Sequence, residues 1–194
     1  MLARIPRPLR YLIMGALALL VLLTLVPTPP GLSPSANASP HPRIAPEFTQ
    51  STPEAWINSD PLSWDTLRGK VVLLDIWTFD CWNCYRSFPW LNSLEARFSD
   101  RGLQVIGIHT PEFRHEHIRA NVEAKMKEFE LHHPVMMDND FAYWNALNNR
   151  YWPAYYLIDK QGRIRARYIG ETHAGDRNAS AIEAQVETLL AEEP

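Results

Sequence analysis

The chain's 194 residues include two cysteines, three apart, in the run Cys81-Trp82-Asn83-Cys84. A pair at this spacing can cycle between dithiol and disulfide, supply half of a zinc site, or take a haem. The surroundings narrow the choice. The apolar run Val71-Val72-Leu73-Leu74-Asp75-Ile76-Trp77 comes before the pair, and an amphipathic helical pattern follows it. Where a buried strand hands over to a helix, the first sulfur lies over helix N-terminal N–H groups that stabilise a thiolate. Zinc needs a second cysteine pair or a Cys–His grouping, and the sequence offers neither. Haem attachment needs histidine directly after the second cysteine, where Tyr85 stands. An inert structural crosslink competes poorly, because a two-residue gap closes too small a loop for much stabilisation. The expected chemistry is thiol–disulfide exchange.

Each polar residue near the pair then has a candidate role. Cys81, at the helix start, is the expected nucleophile, more exposed and lowered in pKa. Cys84, three residues along the same helix, is expected to be buried and to resolve the mixed disulfide. Asp75 is an acid in an otherwise apolar strand, so burial should raise its pKa and suit it to take the Cys84 proton. A buried acid satisfied by hydrogen bonds is the competing reading of Asp75. Asp80 adjoins Cys81 and works against the thiolate, so Cys81 should be less acidic than a helix terminus alone would make it. Of the histidines, His109 ends a strand near the presumed site edge. His115 and His117, two apart, would point away from each other on a helix, and His132-His133 reads as a solvated loop.

The elements that must hold these residues follow from periodicity. The Trp56–Trp64 stretch, running into Leu67-Arg68-Gly69-Lys70, predicts a short hairpin before the first buried strand, 70–77. A helix is expected from Cys81 to about Phe98, with Leu91, Leu94 and Phe98 on one face and Pro89 kinking its middle. Leu103–Ile108 is a second buried strand. Residues 115–130 predict a charged helix burying Ile118, Val122, Met126 and Phe129. Pro134–Met137 is a short strand and Phe141–Leu147 a short helix. Ala154–Ile158 and Arg163–Ile169 flank the turn signature Asp159-Lys160-Gln161-Gly162, and residues 179–191 form a last helix. Strands alternating with helices before a terminal hairpin give an α/β sandwich around a mixed sheet.

This order resembles the thioredoxin fold. Asp75 six residues before Cys81, Trp77 four before and Pro89 eight after match that family's buried acid, strand tryptophan and helix proline. The segment Trp56-Ile57-Asn58-Ser59-Asp60-Pro61-Leu62 and the helix–strand insert between residues 110 and 138 resemble the TlpA-like branch. Trp77-Thr78-Phe79-Asp80-Cys81, Gly107-Ile108-His109-Thr110-Pro111-Glu112-Phe113, Met137-Asp138-Asn139-Asp140 and Tyr151-Trp152-Pro153-Ala154 are similar to the thioredoxin-like domain of DipZ-type proteins. The resemblance covers about residues 47–193. It implies a thioredoxin-like fold with an N-terminal hairpin and a helix–strand insert, and a membrane-anchored thiol:disulfide oxidoreductase that needs no metal or organic cofactor. It also implies a cis Pro153 facing the cysteines, with the backbone of Trp152 before it pairing with substrate. The Trp and Tyr residues read as mostly core, with Trp82 and Trp152 expected to be exposed for partner contact.

The remaining sequence bears on location. Residues 11–26 are uncharged and almost wholly apolar, preceded by Arg4, Arg7 and Arg10. As a helix they span about 24 Å, slightly short of a bilayer core of roughly 30 Å. Either a membrane anchor or a cleaved signal fits; Ala36-Asn37-Ala38 offers a cleavage site, though 12 residues beyond Val26. The basic flank stays in the cytoplasm, so the rest is expected outside a bacterial cytoplasmic membrane, on the periplasmic or external face. Residues 27–46, rich in proline, read as a tether, with the folded domain at 47–194. With Arg4, Arg7, Arg10 and Arg43 set aside, 15 Lys+Arg face 22 Asp+Glu in residues 46–194, a formal charge of −7 that argues against nucleic acid. Protein disulfides and an upstream membrane thiol donor are the expected partners. One rival is a peroxiredoxin-like peroxidase, which has Thr78 at the right spacing but Leu74 where proline is needed. A non-catalytic binding module is the other.

Overall fold

The computed structural model describes residues 43–193, and its centre is the apolar run ahead of the cysteines. The expected anchor at 11–26, most of the tether and the Ala36–Ala38 cleavage site lie outside the described residues. Seven strands among the described residues form one sheet: β1 (Arg43–Ile44), β2 (Trp56–Ile57), β3 (Val71–Trp77), β4 (Leu103–His109), β5 (Val135–Met137), β6 (Ala154–Ile158) and β7 (Arg163–Ile169). Their order is β1-β7-β6-β3-β4-β5-β2. Strands β3, β4 and β5 run parallel; β6 is antiparallel to β3. Covered on both faces, β3 is buried along its whole length, which is why it reads as a continuous apolar run rather than an alternation.

Helix α1 (Trp82–Phe98) starts directly beyond β3 and buries Cys84, Phe88, Leu91, Leu94 and Phe98, a helical stripe, on one face of the sheet. Pro89 lies on the exposed side, and the helix runs unbroken through it. Helices α2 (Arg119–Glu128) and α4 (Arg177–Ala191) pack on the same face; α3 (Ala142–Leu147) and the segment around Trp56 and Leu67 cover the other. The β6–β7 hairpin forms as expected. Asp159 Oδ1 accepts the N–H groups of Gln161 and Arg163, and Gly162 takes the positive φ of 80° that the turn requires. This is the mixed α/β sandwich that the sequence implies.

Three local expectations are corrected. Trp56–Ile57 does not form a hairpin: the two residues pair with β5, and Asn58, at φ 64°, turns the chain and donates to the carbonyls of Leu131 and His133. Arg43–Ile44, read as part of the tether, pairs with β7, and Ala45 is buried, because the open edge of the hairpin offers backbone partners. The helix expected over 115–130 begins at Arg119. Residues Arg114–His117 form a separate 3₁₀ turn, and Ile118, placed on a buried face by its spacing, is exposed.

Candidate active site

Cys81 is the N-cap of α1, and its Sγ accepts the N–H of Cys84 at 3.2 Å. The two cysteines are joined as a disulfide with Cα atoms 5.2 Å apart. Their exposures differ as expected: Cys84 is fully buried on the sheet-facing side of α1, whereas Cys81 is only half-buried. Trp82, between them, is 65% exposed and lies against Tyr85, with ring centroids 5.4 Å apart. The Tyr85 ring in turn meets Phe129 at 5.2 Å. Tyr85, Phe88 and Phe129 line a cleft of about 660 Å³ between α1 and the end of α2.

Asp75 is buried on the same face of β3 as Trp77, beneath α1, and neither carboxylate oxygen has a hydrogen-bond partner. Burial pushes its pKa up to about 8. No protein donor reaches either oxygen, so the competing reading of an acid satisfied by its neighbours' hydrogen bonds finds no partner among the described residues. Tyr155 stands opposite Asp75 on β6; its hydroxyl is also buried without a partner, and burial followed by the Asp75 charge raises it.

The Trp152–Pro153 peptide is cis. Pro153 is buried and immediately precedes Ala154, which is opposite Ile76, so it lies at the cysteine-bearing end of β3. Trp152 departs from expectation. Its indole is half-buried, 4.3 Å from Trp144, and its N–H donates to the Thr110 carbonyl at 3.1 Å. The free aromatic face expected there belongs instead to the neighbouring Tyr151, which is 51% exposed.

The loop Thr78–Asp80, between β3 and Cys81, is held by an acid that the sequence reading missed. Glu116 is fully buried and takes the Thr78 hydroxyl (2.5 Å) and the N–H groups of Asp80 (3.0 Å), Glu112 and Phe113 (both 2.6 Å). Burial alone would raise its pKa, but these four donors hold it below the usual carboxylate range. His109 is fully buried beside Thr78, and desolvation drives its pKa down to about 4, so it is a neutral ring at physiological pH. Two histidine expectations change. His115 bonds Asp80, Nε2 to Oδ2 at 2.6 Å, and His133 is buried with Nδ1 3.4 Å from Glu95. In a run as polar as Arg114-His115-Glu116-His117, nothing local signals that Glu116 turns inward.

The geometry is thus a disulfide at a helix N-terminus, one sulfur open and one buried, with an unpaired acid buried on the face of the sheet that α1 covers. A family model described as Redoxin matches residues 43–186. The chain belongs to the Redoxin family. Protein DipZ of Mycobacterium tuberculosis is 41% identical over 138 residues, covering 70% of this chain and 19% of DipZ. The chain therefore spans about a fifth of that relative's length. Thiol-disulfide oxidoreductase YkuV of Bacillus subtilis is 28% identical over 147 residues, 76% of this chain and 94% of YkuV. A solution structure of a thioredoxin-like protein in the oxidised form superposes with a TM-score of 0.65 at 26% identity, covering 79% of this chain and 98% of the other. The fold is thioredoxin-like, and YkuV, matched over almost its whole length, is itself named a thiol-disulfide oxidoreductase. Among this chain's described residues no helix is long and apolar enough to cross a membrane, and 11–26 lies outside them.

Proposed function

We propose that this chain is a thiol–disulfide oxidoreductase that exchanges disulfides with other proteins outside a bacterial cytoplasmic membrane, anchored by residues 11–26 and extended on a tether. The observation that carries the chemistry is the asymmetry of the pair: a half-exposed Cys81 capping α1 and a fully buried Cys84, with an Asp75 without partners buried on the face that α1 covers. In the reducing direction, the Cys81 thiolate attacks one sulfur of a substrate disulfide; a protein–substrate S–S bond forms and the substrate's S–S bond breaks. The departing substrate thiolate takes up a proton from water. Cys84 then gives its proton to Asp75 and attacks Cys81 Sγ, closing the disulfide seen here and releasing the second substrate thiolate, which is also protonated. Two electrons and two protons pass to the substrate. An upstream membrane thiol donor would restore the dithiol.

Pro153 and Trp152, just before β6, would present backbone to a substrate strand, and Trp82 with the Tyr85–Phe129 cleft would offer it an aromatic surface. The peroxidase alternative loses support because the Thr78 hydroxyl, which that chemistry would aim at peroxide, is committed to Glu116. The apolar 11–26 stretch behind three arginines supports the location, and extraction of the full chain from membranes by detergent but not by alkaline carbonate is the expected behaviour.

The deciding experiment is a trap. Cys84→Ser with Cys81 intact should accumulate mixed disulfides with partner proteins that thiol reductant releases. Cys81→Ser should accumulate none. The reverse pattern would exchange the two roles, and no adduct with either variant would remove the exchange reaction itself.

A further inference from the structure

Asp80 is gripped at both ends by one short turn of the insert. Its backbone N–H is held by Glu116, and its carboxylate by the residue before, His115, at 2.6 Å. The imidazole is fixed as well. It lies between Phe79, with centroids 5.5 Å apart, and Phe113, stacked at 6.0 Å, and its own carbonyl accepts from Asn121 of α2. Both side chains of the pair are half-exposed, but the ring's contacts restrain it more than an ordinary surface ion pair, which holds two free side chains together for little gain.

The consequence falls on Cys81, the next residue. An ionised Asp80 opposes a thiolate there, and the charged Glu116 behind it adds to that field. On the other side, the opposing positive groups are the α1 N-terminus, Lys125 of α2, which feels Asp80 but is paired to Glu128, and His115. Arg114 and His117 complete the turn's cations, and Glu112 is its other acid. Of these groups only His115 touches Asp80.

We propose that His115 is a positioning residue that tunes the nucleophile, neutralising Asp80 so that Cys81 remains ionised. This inference rests on Cys81 being the attacking sulfur. Histidine is the side chain that ordinarily changes charge between about pH 5 and 8. Imidazolium and thiolate therefore stabilise each other, and the reduced protein keeps its reactivity further into mildly acidic conditions than Asp80 alone would allow. Loss of the imidazolium raises the Cys81 pKa and makes the couple more reducing, because the dithiol state loses a stabilising interaction.

The test uses the reduced full-length protein and follows the rate of Cys81 alkylation by iodoacetamide across pH, with peptide mapping to assign the site. His115→Gln should raise the Cys81 pKa by about half a unit to one unit. Asp80→Asn should lower it, and adding His115→Gln to Asp80→Asn should give less than about a third of the shift seen alone. His115→Lys, which restores a cation, should return the pKa to the wild-type value or below; a purely structural role for the ring predicts no such rescue. A His115→Gln shift under about 0.2 unit, or an undiminished shift in the Asp80→Asn background, overturns the proposal. Faster alkylation of Cys84 than of Cys81 in the unmodified protein would instead overturn the assignment of the nucleophile.

Discussion

Two carboxylates flank the disulfide, both closed to water and opposite in character. Glu116 is fully buried, accepts four hydrogen bonds and is held below the usual carboxylate range. Asp75 is 1% exposed, accepts none and is pushed up to about 8. Burial disfavours the charged form of both, more strongly for Asp75, so burial by itself does not account for the depressed Glu116. The supply of donors does. Glu116 collects N–H groups from a loop that needs them satisfied and becomes a permanent anion that fixes the approach to Cys81. Asp75 projects from the middle of β3, where every backbone donor is already used in the sheet, and remains an acid that can exchange a proton near neutral pH.

The largest way to break this contrast is to remove the clamp. Glu116→Ala leaves a hydroxyl and three N–H groups without their acceptor and should cost about 3–5 kcal/mol in urea unfolding. Because its native pKa is depressed, the Glu116 contribution is present above the unfolded value near 4.3 and is lost only as pH falls through the native value. The penalty should therefore be flat from about pH 6 to 8; a penalty that fades toward pH 8 would show that Glu116 is not the permanent anion described. Asp75→Asn should do the opposite. The native pKa of about 8 lies above an unfolded value near 3.9, so wild-type stability falls as pH rises between the two. The variant lacks that slope, and its relative stability should improve by roughly 4 kcal/mol from pH 4.5 to pH 7.5. Its disulfide-closing step should slow at least about tenfold for want of the proton acceptor. Parallel stability curves for the two proteins would mean that Asp75 is not raised.

The same contrast explains which parts of the site were legible in the sequence. Asp75 could be read because one acid interrupts a seven-residue apolar strand, and β3 forms where that run lies. Cys81 and Cys84 could be read because the helical stripe from Cys84 to Phe98 fixes which sulfur faces inward. Helix α1, β4 and the β6–β7 hairpin are set by local periodicity and turn chemistry. Glu116 could not be read, because its burial depends on a turn after β4 folding back over Thr78–Asp80, 36 residues earlier for the Asp80 bond. Pairings of that range leave no trace in local pattern. The β2–β5 pairing and the burial of His133 escaped for the same reason, and Trp152 was misjudged because its partners, Trp144 and the Thr110 carbonyl, come from two other segments.

A third test leaves both acids alone and disturbs what lies between them. Gly107 is opposite Asp75 on β4, and a Cβ there would meet Trp77 Nε1 and Val135 Cγ2 at 2.8 Å. Trp77 joins Asp75 to the Thr78 loop, so Gly107→Ala should cost about 2–3 kcal/mol by overpacking. It should also let water toward Asp75 and bring its titration, followed by the pH dependence of Cys84 alkylation in the reduced protein, closer to the ordinary range. An unchanged profile would mean that packing at Gly107 is not part of the seal.

The smallest test trims one donor from Glu116. Thr78→Val keeps shape and removes a buried hydroxyl that donates to Glu116 and lies 3.4 Å from His109 Nε2. Three backbone N–H groups still hold the carboxylate, so the cost should be about 1–2 kcal/mol, well short of Glu116→Ala. Because the Asp80 N–H remains bonded, the loop before Cys81 keeps its place, and the rate of insulin disulfide reduction should stay within about twofold of wild type. A rate loss as large as that of Glu116→Ala would place the control of Cys81 in the Thr78 hydroxyl rather than in the backbone bond to Asp80, and the division of labour between the two carboxylates would have to be redrawn around a side chain on β3's own extension.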